Sequence, residues 1–322
     1  KVNASLVRRV VDREYGKVDW NDPEISSDPE FLQKFVRLLA KHIREEAHLE
    51  KSEPTTRLRS FINHVVEGFA TSPEGIDQLR QRSVLVQAAI LSAKLPANVR
   101  EEVKEAYRSI CKEAKQDDVP VAVRSSAAGE DSRKKAFAGL QDTYLNIVGA
   151  DAVAEASHWH CASAYNLRSM TYRREAILDA TAKAEELGDD TIAEQAKHEW
   201  AIENTSLSVC IMRMINPMMS GTAVSADTAT GCRGTSREEL VSIDVSYGLG
   251  EAIVGGMVTP DKYYVFQRDD GKEVVIRQMG VKDKKIVYDS NGGTKTEAMS
   301  ESEIYRWSIP VNQAEKIAQG VR

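Results

Sequence analysis

Residues 119–147 read V-P-V-A-V-R-S-S-A-A-G-E-D-S-R-K-K-A-F-A-G-L-Q-D-T-Y-L-N-I, a pattern that predicts a strand, a loop and a second strand. Val119, Val121 and Val123 alternate with smaller neighbours, which is typical of a half-buried strand. Arg124 follows them and precedes a loop of small residues, whose backbone N–H groups suit a polyphosphate. A guanidinium stays charged and can bind two phosphate oxygens at once. The alternative interpretation is an ordinary hairpin with a solvated, charged tip.

A second segment, residues 245–265, reads V-S-Y-G-L-G-E-A-I-V-G-G-M-V-T-P-D-K-Y-Y-V. Together the two segments closely resemble the nucleotide-binding domain of phosphoenolpyruvate synthase and pyruvate phosphate dikinase. Two long motifs in the family's order are far more specific than a single glycine pattern. The resemblance begins near residue 57 and continues to the C-terminus. It implies an α+β, ATP-grasp-like fold in which two lobes clamp ATP, preceded by a helical N-terminal part.

The patterns along the chain divide it into three predicted parts. Residues 1–115 carry apolar residues at helical spacing and predict a mainly helical N-terminal region. Residues 116–206 predict the first lobe, with the phosphate-binding loop and a helical hairpin inserted near 175–204. Residues 207–322 predict the second lobe. The C-terminal end of the family domain, which carries a metal-binding carboxylate and further phosphate contacts, is expected to be missing.

The composition and net charge restrict the classes of partner that the protein is expected to bind. Hydrophobic residues make up 42% of the 322 residues and charged residues 29%, which is typical of a globular protein. A net charge of −6 argues against a general nucleic-acid binder, because phosphate-backbone affinity needs clustered Lys and Arg. The four cysteines form no C-x-x-C pair, which favours reduced thiols. No signal peptide and no membrane-spanning run is recognisable, so a cytoplasmic protein without a membrane or nucleic-acid partner is predicted.

The resemblance assigns nucleotide contacts in the first lobe residue by residue. Glycine permits a close approach of backbone to phosphate, and a threonine hydroxyl can bond a phosphate oxygen. Lys1 corresponds to the family's phosphate-binding lysine if the first residues are the remnant of its glycine-rich segment. The resemblance implies that five further residues bind ATP: Arg124, Ser125, Gly139, Gln141 and Thr143. It also implies that Arg124 is catalytic.

The adenine is predicted to lie at a hinge in residues 207–225, which read as two strands joined at Asn216-Pro217. Met214 and Ile215 match the hinge residues whose backbone N–H and C=O groups bind the adenine in the family. Met212 stands where the family has a glutamine. A methionine cannot make that side-chain hydrogen bond, although it can pack against a purine.

The glycine-rich loop of the second segment is implied to lie against ATP through Gly248 and Gly250. Glu251 follows and is implied to help hold Mg²⁺ or Mn²⁺, since magnesium binds one or two carboxylates together with phosphate oxygens. The alternative is a tight structural turn in which Glu251 caps a helix. A look-alike of the family's metal-binding segment at residues 198–203 precedes this loop instead of following it, so its glutamates are interpreted as helix surface.

The implied function is that of an ATP-binding component of a dikinase-type phosphotransferase, which splits ATP to AMP and phosphate. None of the six histidines lies in the family's phosphoacceptor motif, so the phosphoryl group is expected to pass to a histidine on a partner subunit or swivelling domain. The chain resembles a stand-alone subunit such as that of phenylphosphate synthase, which implies phenol as the final acceptor. The alternatives are a fragment of phosphoenolpyruvate synthase or rifampin phosphotransferase and, from a different class, a degenerate regulatory subunit without turnover.

Overall fold

The computed structural model describes residues 3–26, 28–49, 57–69, 75–127, 139–200, 207–227, 230–231, 234–235, 238–268 and 270–321. The chain forms two compact units, Lys1–Arg213 and Met214–Arg322. Both contain helices and antiparallel strands, in agreement with the predicted α+β class. Within the described ranges, no helix combines the length and the apolar character needed to cross a bilayer.

Most of the first unit is helical, as its apolar spacing predicts. Asp28 caps the third helix, because its Oδ1 accepts a hydrogen bond from the backbone N–H of Glu30 at 2.8 Å. Pro29 takes the first helical position, where a backbone N–H would make no hydrogen bond within the helix, so the lack of an N–H in proline costs nothing there. The described helices of this unit are α1 (Ala4–Tyr15), α2 (Pro23–Ser26), α3 (Pro29–Leu49), α4 (Leu58–Val66), α5 (Ile76–Ser92), α6 (Ala97–Ala114), α7 (Ala150–Ser163), α8 (Leu167–Leu187) and α9 (Asp190–Glu199).

Helices α1, α3, α4 and α5 bury their apolar faces in one core, with Leu6, Leu39 and Leu79 almost fully enclosed. Leu38 of α3 is apolar but lies outside this core and is 47% exposed. The buried stripe of α3 runs through positions 35, 36, 39, 40 and 43, which leaves position 38 at its edge.

The predicted strand, loop and strand are confirmed at both ends. The sheet of the first unit has the order β2-β1-β3, with β1 (Val121–Ala127), β2 (Tyr144–Ile147) and β3 (Leu207–Arg213), and all its pairs are antiparallel. Val121 and Val123 point to one face and pack with Tyr107 of α6 and Val153 of α7. This alternation matches the period of two residues that the sequence shows.

The helical hairpin expected near 175–204 is formed by α8 and α9. Gly188 ends α8 in the left-handed conformation at φ +63°, which glycine adopts without steric cost. Asp189 then caps α9, since its side chain accepts from the N–H of Thr191. The two helices bury a small core in which Ile177 faces Trp200. Glu199 is exposed on α9, as its interpretation as helix surface requires.

The second unit is built on antiparallel strands. Its main sheet runs β4-β6-β7-β8, with the short β5 also paired to β6, and β9 pairs separately with β10. Helix α12 covers one face of the main sheet, where Val241, Ile243 and Val265 meet Ala314 and Ala318. The elements are β4 (Met219–Val224), β5 (Gly234–Thr235), β6 (Glu238–Tyr247), α10 (Glu251–Val254), β7 (Asp261–Arg268), β8 (Glu273–Gln278), β9 (Lys284–Tyr288), β10 (Thr294–Ala298), α11 (Glu301–Ile304) and α12 (Val311–Val321).

The two strands on either side of Asn216-Pro217 exist, but they belong to different sheets. β3 pairs along its whole length with β1, and β4 pairs with β6. The chain therefore divides after Arg213, whereas the sequence placed the boundary between residues 206 and 207. The physical reason is that β3 takes its hydrogen-bond partner from a strand about eighty residues earlier, which no local pattern reveals.

A buried ion pair joins the start of β7 to the segment before β9. Lys282 and Asp261 are both fully enclosed, and the distance from Nζ to Oδ1 is 2.6 Å. The Asp261 carboxylate also accepts from the N–H of Gly280 at 2.9 Å and from the N–H and Oγ of Ser308, both at 2.8 Å. A buried charge needs such partners to offset the loss of water.

Candidate functional site

The sheet β2-β1-β3 has one face packed against helices and one face outside the core clusters. Arg124 lies on the second face and is exposed, directly across from Cys210 of β3 in the strand register. Met212 lies on the same face, opposite Ala122, and is 46% exposed. Among the described carboxylates, none pairs with Arg124. An exposed guanidinium without a carboxylate partner keeps its donors available for an anion.

Thr143 is brought to the level of Arg124 by strand pairing. Val123 pairs with Tyr144, so extending that antiparallel register by one residue places Thr143 beside Arg124. Thr143 is exposed, whereas Tyr144 is buried in the core face. Three neighbouring backbone segments thus present Thr143, Arg124 and Cys210 in a row, which suits a phosphate chain lying across the strands.

Gly139 and Gln141 lie just before this row. Gly139 is exposed with φ +76°, a conformation that favours glycine, and among the described residues other than its chain neighbours no atom lies within 4 Å of where a Cβ would stand. Gln141 is buried, and its Oε1 has no hydrogen-bond partner among the described residues. A buried unsatisfied amide oxygen costs free energy, so a small rotation of this side chain towards a donor would be favourable.

Asp142 fixes this segment to the helices behind it. Its carboxylate accepts from Arg168 Nη2 at 3.0 Å and from Asn166 Nδ2 at 3.2 Å. Its backbone N–H donates to Ser163 Oγ, and its carbonyl oxygen lies 2.9 Å from His160 Nδ1. Burial raises the pKa of Asp142, and the positive charge of Arg168 opposes that rise. Gln141 and Thr143 are therefore held on either side of a well-anchored residue.

Three other predictions for the first lobe have different outcomes. Ser125 pairs with Val209 and lies on the strand face opposite to that of Arg124, so their side chains diverge. Alternation along the strand separates any two consecutive side chains in this way, and only the backbone of Ser125 can share a ligand with Arg124. Lys1 and residues 128–138 of the predicted phosphate loop lie outside the described residues.

Tyr107 locks the arginine strand to α6 and was not singled out from the sequence. Its hydroxyl accepts from the backbone N–H groups of Val119 at 3.1 Å and Gly149 at 3.0 Å, and it donates to the carbonyl oxygen of Val119. Burial raises the pKa of this phenol, which keeps the hydroxyl proton in place. One side chain thus holds the residues just before β1 and just after β2.

The predicted adenine hinge follows β3. Ile215 is 80% exposed, whereas Met214 is half-buried and packs against the apolar cluster that contains Leu249 and Ile286. Packing of this kind fixes Met214 within the second unit and leaves Ile215 open to a ligand.

The glycine-rich loop is held in place by backbone contacts on two sides. The N–H of Gly248 donates to Met218 O at 2.9 Å, and its carbonyl oxygen accepts from Ser220 Oγ at 2.6 Å. Gly248 has φ +76°, and a Cβ there would stand 2.3 Å from the carbonyl oxygen of Ile286. This position therefore requires glycine for the fold itself. Gly250 has ordinary helical φ and lies beside Ser220.

Glu251 begins α10 and is exposed. Its Oε2 accepts from Thr294 Oγ1 of β10 at 3.3 Å, whereas no side-chain hydrogen bond caps α10. Because the N-cap residue of α10 is Gly250, which has no side chain, the capping alternative for Glu251 stays a prediction. Across the described ranges, no group of three or more His, Cys, Asp or Glu could hold a metal ion by itself. Glu251 can contribute one carboxylate, so a magnesium ion here would depend on phosphate oxygens and water for its other ligands.

The histidines that the structure describes support a structural or surface interpretation. His160 is fully buried beside Asp142, and His158 Nε2 lies 3.1 Å from the carbonyl oxygen of Ile90. Burial lowers the pKa of His158. His64 and His198 are exposed on helices. None of these environments tests the prediction that the phosphoryl group passes to a histidine on a partner, so it stays a prediction.

Comparison with known proteins decides the family. The family model of the pyruvate phosphate dikinase AMP/ATP-binding domain matches residues 2–322. The chain belongs to this family. Phosphoenolpyruvate synthase of Deinococcus radiodurans is 31% identical over 239 residues, which cover 73% of this chain and 26% of the relative. The phosphoenolpyruvate synthase of Aquifex aeolicus is 33% identical over 236 residues, which cover 72% of this chain and 24% of that relative.

Membership of the dikinase AMP/ATP-binding domain family confirms the resemblance and the ATP-grasp-like fold that the two motifs implied. The match also covers residues 2–56, which lie before the segment where the sequence resemblance begins. The chain spans about a quarter of the length of the curated relatives it matches.

Lys282 was also missed by sequence reasoning, although its partner Asp261 stands in the family motif. The available signal was Pro260-Asp261 at the start of a strand, because a carboxylate that is buried there requires a positively charged or hydrogen-bonding partner. The sequence offered several lysines and no periodicity to choose among them.

Proposed function

We propose that this chain is the ATP-binding component of a dikinase-type phosphotransferase. It binds ATP with Mg²⁺ and donates one phosphoryl group to a histidine on a partner subunit or domain, while water takes the other, so that AMP, phosphohistidine and phosphate are formed. Membership of the AMP/ATP-binding domain family supports nucleotide binding. The relatives are longer proteins, which is consistent with an acceptor histidine outside the matched region.

The observation that carries the proposal is the exposed Arg124, which pairs across the sheet with the half-buried Cys210 and stands one register step beyond the Val123–Tyr144 pair, level with the exposed Thr143. Arg124 has no described carboxylate to neutralise it, and Thr143 supplies a hydroxyl beside it. Phosphoryl transfer needs little covalent help from the protein, because catalysis is mainly positioning and stabilisation of charge on the phosphate oxygens. Arg124 would supply that charge.

Glu251 is the residue that would hold Mg²⁺, and the ion would supply positive charge against the phosphate oxygens when bound. Glu251 would orient the ion through one carboxylate oxygen while its other interaction, with Thr294, holds the side chain to β10. Manganese accepts the same oxygen ligands.

The final acceptor stays a proposal from sequence resemblance. Phenol, by analogy with phenylphosphate synthase, has no support from the relatives compared above, which are phosphoenolpyruvate synthases. A piece of a phosphoenolpyruvate synthase fits the same observations equally well. A regulatory subunit without turnover is favoured only by Met212, which cannot replace the family's glutamine as a hydrogen-bonding group. Formation of AMP in the presence of the acceptor protein separates enzyme from regulator.

The role of Arg124 is tested by nucleotide affinity. Arg124→Ala should weaken ATP binding by about ten- to a hundredfold, since a hydrogen bond to a charged group contributes about 1.5–3 kcal/mol. Calorimetry measures the affinity, and circular dichroism checks the fold. Arg108→Ala on the exposed surface of α6 is the matched control and should bind ATP normally. Equal ATP affinity of Arg124→Ala and the parent chain would contradict the proposal.

Cys210 gives a second readout in the same experiment, because it stands directly across from Arg124. Mg-ATP should slow alkylation of Cys210. Cys161, half-buried on α7, is the internal reference and should react at the same rate with and without nucleotide. Unprotected Cys210 in ATP-saturated protein would place the nucleotide elsewhere.

A further inference from the structure

A cavity of about 100 Å³ lies inside the first unit, among α3, α5 and the start of α8. We call it the α3–α5–α8 cavity. Its walls are largely apolar, formed by Leu32 and Val36 of α3, Val84 of α5 and Leu167 of α8. Asp142 lines the cavity at the end that adjoins the segment of Gln141 and Thr143.

The charged groups of the cavity are unevenly compensated. Arg168 is paired with Asp142, and Asn166 donates to the same carboxylate, so this end is neutral overall. Arg80 is different. It is only 6% exposed and lines the cavity, and its Nη1 is paired with Asp77, which lies outside the lining and is mostly exposed.

The Nε of Arg80 is buried and has no hydrogen-bond partner among the described residues. Leaving a buried charged donor without an acceptor is unfavourable, and few such groups occur in native proteins. The ring of Trp20 lies 5.4 Å from the guanidinium carbon, and the Tyr15 hydroxyl interacts with the same group, but neither accepts a hydrogen bond from Nε. An acceptor that enters the cavity would therefore gain a preoriented, largely desolvated N–H.

We propose that the α3–α5–α8 cavity binds a small monocarboxylate with an apolar chain. The carboxylate accepts from Arg80, and the chain lies between Val36, Val84 and Leu167. An engineered cavity of about 150 Å³ holds the six carbon atoms of benzene, so about 100 Å³ has room for roughly four, enough for the carbon atoms of a short chain whose carboxylate oxygens lie at Arg80. Both guanidinium groups of the lining are paired with carboxylates, so the preference for an anion comes from the unsatisfied Nε–H of Arg80, which donates more strongly to a carboxylate than to a neutral acceptor and repels a cation. This site does not depend on nucleotide binding.

The experiment compares three probes of one size on the full chain without nucleotide: butyrate, butyramide and butylammonium. Ligand-observed NMR suits the weak affinities expected of ligands with about six heavy atoms. Butyrate should bind at least tenfold more tightly than either of the other two probes. Arg80→Met should reduce its affinity by about ten- to a hundredfold. Arg100→Met removes an arginine paired with Asp151 on the exposed surface of the same unit and should leave affinity unchanged.

A second variant fills the cavity without touching its charges. Leu32→Trp adds bulk from the half-buried surface of α3 and should abolish butyrate binding while the far-ultraviolet circular dichroism stays native. Equal binding of butyrate and butyramide, no binding of butyrate, or full binding by Leu32→Trp would overturn the proposal. If Arg80→Met does not fold, the comparison of probes on the parent chain and the Leu32→Trp result still decide the question.

Discussion

Replacing Lys282 by methionine should strongly destabilise the second unit. Methionine keeps much of the length and apolar volume of the lysine stem but removes the ammonium group that lies 2.6 Å from Asp261 Oδ1. The carboxylate then stays fully buried without its counter-charge. Removing one member of a buried ion pair costs about 3–5 kcal/mol. Because Gly280 and Ser308 still donate three hydrogen bonds to Asp261, we expect the lower end, about 3 kcal/mol.

The assay must isolate the second unit, since a chain of two compact units need not unfold in a single transition. Hydrogen exchange of peptides from β6 and β7, measured over a series of urea concentrations, reports the opening of this sheet directly. Lys272→Met is the control, because it removes a lysine from an exposed ion pair, in which Lys272 Nζ lies 3.9 Å from Asp270 Oδ2. An exposed pair contributes about 0–1 kcal/mol, so this variant should resemble the parent chain.

The double variant Asp261→Asn with Lys282→Met separates loss of charge balance from loss of packing. No ion remains buried in it, so it should be more stable than Lys282→Met alone. The reasoning is refuted if Lys282→Met exchanges at the parent rate. It is also refuted if the double variant loses the sum of the two single effects, because residues in one network do not act independently.

Two further predictions concern the segments of the candidate site. Gly248→Ala should destabilise the second unit by about 1–3 kcal/mol, because its Cβ would stand 2.3 Å from Ile286 O. Gly256→Ala is the control: Gly256 has a similar φ and no described atom close to its Cβ position, so this variant should lose less stability in the same urea series. Equal losses of stability in the two variants would show that the contact with Ile286 O is not the cause. Burial raises the pKa of Asp142, so the folded chain holds that proton more tightly than the unfolded chain and stability from this group falls as pH rises above the ordinary carboxyl value. Asp142→Asn should flatten this dependence between pH 4 and 7 in urea titrations, and a parent chain with the same slope as the variant would contradict the assignment.

Local chemistry explains what could be predicted from the sequence. The alternation around Val121 and Val123 predicted a half-buried strand, and the apolar spacing within residues 1–115 predicted helices. The helical hairpin near 175–204 also exists, and Gly188 makes its turn by ending α8 in the left-handed conformation. Each of these features is decided by residues within one or two turns of chain, where propensity and capping act directly.

Pairing between distant segments could not be predicted in the same way. β3 was assigned to the second lobe because it is close in sequence to β4, yet its partner is β1. The opposite faces of Arg124 and Ser125 follow from alternation, but the resemblance treated the two as one binding motif. Burial of Lys282 depends on a carboxylate twenty-one residues earlier, and no periodic signal connects the two.

The positions of the motif residues separate two roles that the sequence alone combines. Gly248 and Asp261 belong to the glycine-rich motif, but backbone geometry and a buried ion pair already account for both. Arg124 and Thr143 are exposed and lie outside the core clusters of the described residues. Substitutions at Gly248 or Asp261 that abolish nucleotide binding would therefore report loss of the fold. Only exposed positions such as Arg124 can change affinity while the fold persists, so they are the residues on which the proposed function must be tested.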